Sequence, residues 1–123
     1  MSVLGAFCNQ LIRFFEELQT TIPEEKSISM ALEAIKAAKR SNPKLVLDMF
    51  HEYLYVPAHD MISTRDAEKL KDLAKSVLST RFNELLPALM IFDKYWPTFS
   101  DNNKLAIWEY LEVLCKLCEK ARV

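Results

Sequence analysis

Cys115-Lys116-Leu117-Cys118 has the two-residue gap of zinc sites and redox pairs. A structural zinc site needs four ligands, usually from two such pairs, and this pair stands alone. A redox pair belongs with a thioredoxin-like βαβ pattern, which is missing. Both thiols fall on the inward side of a predicted helix, so they read as small buried hydrophobes. His51-Glu52-Tyr53-Leu54-Tyr55 comes close to the zinc-protease helix motif, in which two histidines four apart meet one metal. Position 55 is Tyr. His59 lies eight residues after His51 with Pro57 between them, so it is not expected on the same helix face. His59-Asp60 offers an acid and a base, but adjacent helical residues point in different directions. No nucleophile or phosphate-binding loop accompanies them. The reading is therefore of a non-enzyme with no catalytic residue, no metal ligand set and no cofactor.

Lys36, Lys39, Arg40 and Lys44 form the densest basic cluster. They could touch a phosphate backbone, but cations at the end of a helix also complement its dipole, and that is the preferred reading. Lys69, Lys71 and Lys75 alternate with Asp66, Glu68 and Asp72, the pattern of a solvated face. Phe92, Tyr95, Trp96, Phe99, Trp108 and Tyr110 gather near one interhelical turn. They read as a lock between two helices in preference to a ligand pocket.

The elements that must position these residues are helical. The 123-residue chain is half apolar and carries one glycine, Gly5. Antiparallel hairpins usually need Asn-Gly or Asp-Gly turns, and none occurs. Apolar spacing of three and four predicts a first helix over about 3–20, from Val3 to Leu18. A second follows Pro23, with Ile28, Ala31, Leu32, Ile35 and Ala38 inward. Asn42-Pro43 predicts a cap and first position for a third. Its inward residues are Val46, Leu47, Met49, Phe50, Tyr53 and Leu54, and Pro57 is expected to limit it near Tyr55. Ser63 or Thr64 is expected to cap a fourth helix. Its stripe runs through Leu70, Leu73, Ala74, Val77 and Leu78, and the same spacing continues through Phe82, Leu85, Leu89, Phe92 and Trp96. Pro87 inside that run predicts a kink or break between Ser79 and Pro87. Ser100 caps the last helix, with Leu105, Trp108, Leu111, Leu114, Cys115 and Cys118 inward.

The expected fold is thus all-α, a compact bundle of about five to six helices forming a single domain over 1–123. The segment at about 82–96 is apolar nearly all round, which suits the buried centre of a bundle. The formal net charge of −1 implies no strong field, so nucleic acid is not the expected partner. No apolar run approaches the roughly 20 residues of a membrane helix. Residues Val3 to Leu18 read as an amphipathic helix and not as a signal peptide. The three cysteines point to a reducing compartment.

Phe50-His51-Glu52-Tyr53-Leu54-Tyr55-Val56-Pro57, Asn42-Pro43, Tyr95-Trp96, Asn103-Lys104, Ile107-Trp108-Glu109-Tyr110-Leu111 and Leu117-Cys118-Glu119-Lys120 together resemble small helical proteins of nucleocytoplasmic large DNA viruses. The resemblance covers about two thirds of the chain in short, scattered blocks. It implies a viral protein made in host cytoplasm, with packaging in the virion as a further option, and brings no catalytic residues. The function expected is a non-enzymatic protein-interaction or virion-associated structural module, acting through a protein partner or as a homodimer. Tyr53, Tyr55, Met61 and Phe14 are the candidate partner-facing residues, because aromatics that are hard to bury mark interfaces. The alternative is a nucleic-acid-associated accessory factor using Lys36, Lys39, Arg40 and Lys44.

Overall fold

Amphipathic segments with caps at one end and breaks at the other should fold as packed helices. In the computed structural model every regular element among the described residues is helical, giving the expected all-α bundle. The structure describes residues 2–80 and 86–122, and for 77–80 and 86–89 the backbone alone. Helix α1 spans Val3–Thr21, α2 Lys26–Ser41, α3 Pro43–Phe50, α4 Val56–Ser63, α5 Ala67–Thr80, α6 Leu86–Lys94 and α7 Asp101–Ala121. A π-helical turn, His51–Tyr55, joins α3 to α4, and a 3₁₀ turn, Trp96–Thr98, follows α6. No helix among the described residues is long and apolar enough to cross a membrane.

The caps follow from local chemistry. The Ser2 hydroxyl accepts from the Gly5 amide at 3.0 Å, the Asn42 side chain from Leu45 at 3.4 Å, and Ser100 from Asn103 at 3.1 Å. Each satisfies a helix-start amide that lacks an intrahelical partner. Helix α5 departs from expectation. Asp66, not Ser63 or Thr64, accepts from the Lys69 amide at 3.0 Å. Both hydroxyls instead donate back to the Asp60 carbonyl, which closes the preceding helix. Arg65 then turns the chain with φ 53°, the positive-φ region usually left to glycine. The Asp66 amide reaches the Met61 carbonyl and the Arg65 amide reaches that of Ile62, so the last turn is closed by paired bonds. The Arg65 guanidinium is held by both oxygens of Glu112 on α7, at 2.9 and 3.0 Å.

A buried cluster runs through the bundle from Phe7 to Cys118. Helix α1 contributes Phe7, Cys8, Leu11, Phe14, Phe15 and Leu18, and packs against α2, α3 and α7. Helix α1 has a central place among the described residues; of the segment at 82–96 expected at the centre, 82–85 and the side chains of 86–89 lie outside them. Helix α6 lies mainly on α5 and also touches α2. The expected kink or break between Ser79 and Pro87 falls largely on 81–85, outside the described residues. Phe82 and Leu85 lie outside them too, as do the side chains of Val77, Leu78 and Leu89. On α7 the inward stripe is observed except at Leu105, which lies at its flank and is 45% exposed.

Residues 43–63 differ most from expectation. Pro57 does not end the helix. The chain passes from α3 through the π turn into α4 with helical dihedrals at His51, Tyr55 and Val56. A proline in an α-helix removes one amide and drives its ring against the carbonyl four residues back. Here the Val56 amide donates to His51, five residues back, and Pro57 enters as one of the first residues of a fresh α-helical segment. The widened turn also serves packing. Val46, Phe50, Leu54, Ala58 and Ile62 are all buried, and they advance by four at every step. In an unbroken α-helix that spacing drifts about 40° per step. One wide turn takes back enough of the drift for all five to face the core.

Candidate interaction surface

Compensated drift acts on the other faces of helix 43–63 in the same way. His51, Tyr55 and His59 form a column. The Tyr55 ring stacks on His51 at 5.2 Å between centroids and on His59 at 4.6 Å. The expectation that Pro57 separates the two histidines onto different faces is therefore corrected. The column stands beside α7, where the Tyr55 hydroxyl donates to Glu119 Oε2 at 2.7 Å. His59 Nε2 lies 3.5 Å from the same oxygen, and its Nδ1 lies 3.4 Å from Asp60 Oδ1. Donation to a carboxylate favours the neutral phenol, and the Tyr55 pKa is pushed up to about 12. Tyr55 is thus a protonated hydrogen-bond donor at neutral pH.

Below the column, a groove of about 690 Å³ separates helix 43–63 from the end of α7. Lys44, Asp48, His51, Glu52 and Arg122 line it, and Arg122 closes across to Asp48 at 3.0 Å. Both signs of charge are present, so the groove has no preference for an anion.

The outward face of the same helix carries Leu45, 46% exposed, and Val56, 65% exposed. Tyr53 is half-buried on this helix, and exposed Glu52 and Asp60 share the outer face. Among the described residues only Met30 on α2, 72% exposed, is a large apolar side chain more open to water than Val56.

The four candidate partner residues do not come together. Tyr53, Tyr55 and Met61 share helix 43–63 and are each half-buried, with Tyr55 and Met61 packed against the core. Phe14 is corrected: it is 1% exposed, edge-on to Phe15 and tilted against Tyr110. With α2 and α3 on one flank and α7 on another, α1 can bury a face wide enough for Phe7, Phe14 and Phe15 together. The basic cluster is also divided. Lys36 lies 4.0 Å from Glu33, Lys39 donates to Asn9, Arg40 is exposed on α2, and Lys44 belongs to the groove on α3.

Cys8, Cys115 and Cys118 are buried and unbridged. Burial pushes the Cys115 thiol up to about 12 and Cys118 up to about 11, far from the range of reactive thiolates. Among the described residues no group of three or more His, Cys, Asp or Glu is placed to hold a metal ion. Of the expected aromatic cluster, Phe92, Trp96, Phe99 and Trp108 come together and lock α6 to α7, while Tyr110 faces Phe14 on α1. Phe92, Trp96 and Trp108 pack at 4.7–5.4 Å, and Lys104 sits over the Trp96 ring at 5.5 Å. Beside it, Glu25 accepts from Tyr95 at 2.7 Å, Ser27 at 2.8 Å and Lys94 at 2.9 Å. These donors hold its carboxyl at about 2, well below the usual range.

Sequence reasoning missed the column and the outer face together. The signal was present in the repeated spacing of four, His51 to Tyr55 to His59 and Glu52 to Val56 to Asp60, but Pro57 hid it. No protein-family model matches the chain, and comparison with curated proteins and with solved structures finds no match.

Proposed function

We propose that this chain is a protein-interaction module that docks through the outer face of helix 43–63. The observation that carries the reading is the exposure of Val56 and Leu45 on a helix whose inner face is fully committed to the core. The π turn and the Tyr55–Glu119 bond hold that helix against α7, so the docking face is presented on a fixed support. A preorganised face loses less conformational entropy on binding than a mobile one. On the viral resemblance, the module would work in the cytoplasm of an infected cell or within the virion, as a structural part and not as an enzyme.

The test is hydrogen exchange on the full chain, comparing purified protein with the complexes it forms in expressing cells. Docking predicts added protection confined to 43–63 in the complexed material. Protection confined to another helix, or no protected complex at all, would overturn the assignment.

A further inference from the structure

The His59 ring stands between two carboxylates. Its Nδ1 lies 3.4 Å from Asp60 Oδ1 and its Nε2 lies 3.5 Å from Glu119 Oε2. Among the described residues neither carboxylate is paired with a lysine or arginine, although Lys116 and Lys120 flank Glu119 along α7. A neutral imidazole carries one N–H and one bare nitrogen. Whichever tautomer His59 adopts, the bare nitrogen faces a carboxylate oxygen, lone pair against lone pair. Only the imidazolium presents an N–H to each. Its face also lies on the Tyr55 ring at 4.6 Å between centroids, and an aromatic face attracts a cation. The other groups of the packed elements do not oppose a second proton. On α7, burial keeps the Cys115 and Cys118 thiols protonated, and Glu112 is taken by Arg65. On α5, which also packs against this helix, Glu68, Lys69, Lys71 and Asp72 make no ion pair with His59 among the described residues, and Lys75 pairs with Asp93.

We infer that His59 is a proton-operated clamp between helix 43–63 and α7. Histidine is the side chain that ordinarily changes charge between about pH 5 and 8. Toward the acid end of that range the ring takes its second proton and bridges Asp60 to Glu119. The Asp60 contact lies within the helix, and the Glu119 contact crosses to α7. Glu119 Oε2 then accepts from Tyr55 and His59 together, so two donors hold the seam. Toward the alkaline end the Tyr55–Glu119 bond holds it alone. The clamp's contribution is therefore present at acid pH and lost as pH rises. The His59 side chain is 40% exposed and that of Glu119 48%, so water screens the pair. The clamp tightens the seam by degrees and does not decide whether the chain folds. It works whether or not the outer face of the helix is occupied.

Thermal melts of the full chain at about pH 8 and about pH 5.5, at equal ionic strength, test the clamp across the histidine range. The change in melting temperature on acidification should favour the parent over H59Q by about 2–4 °C. E119Q loses the Tyr55 bond at both pH values, but it should also lose the acid-dependent part that H59Q loses. The intact chain gives a second readout that needs no variant. By NMR, the Glu119 carboxyl carbon should step together with the His59 ring as the proton binds. H59Q following the parent degree for degree would overturn the inference. An acid gain undiminished in E119Q would do the same, since the proton would then not be shared with α7. So would a Glu119 signal that stays flat while the His59 ring titrates.

Discussion

Tyr55 and Glu119, 64 residues apart in sequence, are joined by a 2.7 Å hydrogen bond that ties the π turn to the last helix. Tyr55 also stacks between two histidines, so one side chain links helix 43–63 to α7 and orders the column along it.

This bond has a signature at high pH. Glu119 raises the Tyr55 pKa from an ordinary 10.0 to about 12. The folded state favours the protonated phenol. Its contribution to stability is complete below pH 10 and is lost as pH rises through 12. Ultraviolet titration should show Tyr55 and Tyr95 as late tyrosines, and E119Q should bring the Tyr55 step alone earlier. Y55F should lower the melting temperature and leave helical content intact. An unchanged titration in E119Q would contradict the bond.

Glu25 should make the fold acid-sensitive in the opposite sense. Its carboxyl is lowered from 4.5 to about 2 by Tyr95, Lys94 and Ser27. Its contribution is present above pH 4.5 and is lost as pH falls toward 2. E25Q should be less stable than the parent at pH 7 by roughly 1.5–3 kcal/mol, the range for hydrogen bonds to charged groups. The gap should narrow at pH 2 in denaturant titrations. A constant gap across that window would show that Glu25 acts through shape alone.

Phe14 and Val56 provide a contrast between core and surface. F14A should cost about 3–5 kcal/mol in chemical denaturation, as expected for a buried aromatic. V56E should stay within about 0.5 kcal/mol under conditions where the chain is monomeric. Comparable losses in the two variants would place Val56 in the core.

The cysteines should resist thiol reagents in the native state. Buried Cys115 and Cys118 have pKa values of about 12 and 11, so little thiolate exists at pH 8. Labelling should proceed at the rate of unfolding and rise sharply in denaturant. Fast native labelling at either position would contradict their packing.

Much of the fold was legible because it depends on local chemistry. Asn42-Pro43 and Ser100 start helices as their types require, and Cys115 and Cys118 lie inward as their spacing with Leu111 and Leu114 implied. What was not legible depended on neighbours. Whether α1 could bury Phe14 was decided by packing from α2, α3 and α7, and a single helix pattern does not contain that information. Asp66 displaced Ser63 and Thr64 as a cap because both hydroxyls were already turned back to Asp60. Pro57 reads as a stop in the sequence because the usual penalty assumes an α-helical hydrogen-bond ladder, and the chain meets it with a π turn.

That turn makes helix 43–63 intolerant of small changes in length. The two halves are each amphipathic but out of phase, and the wide turn brings them into step like the offset scales of a vernier. Each residue added or removed between His51 and Tyr55 turns the downstream half by about 100°. Ala58 and Ile62 would swing off the core, and the face bearing Val56 and Asp60 would swing out of line with Leu45. Ordinary insertions are tolerated in loops; here a single inserted residue would cost the packing and the docking face at one stroke, although it replaces no residue of either.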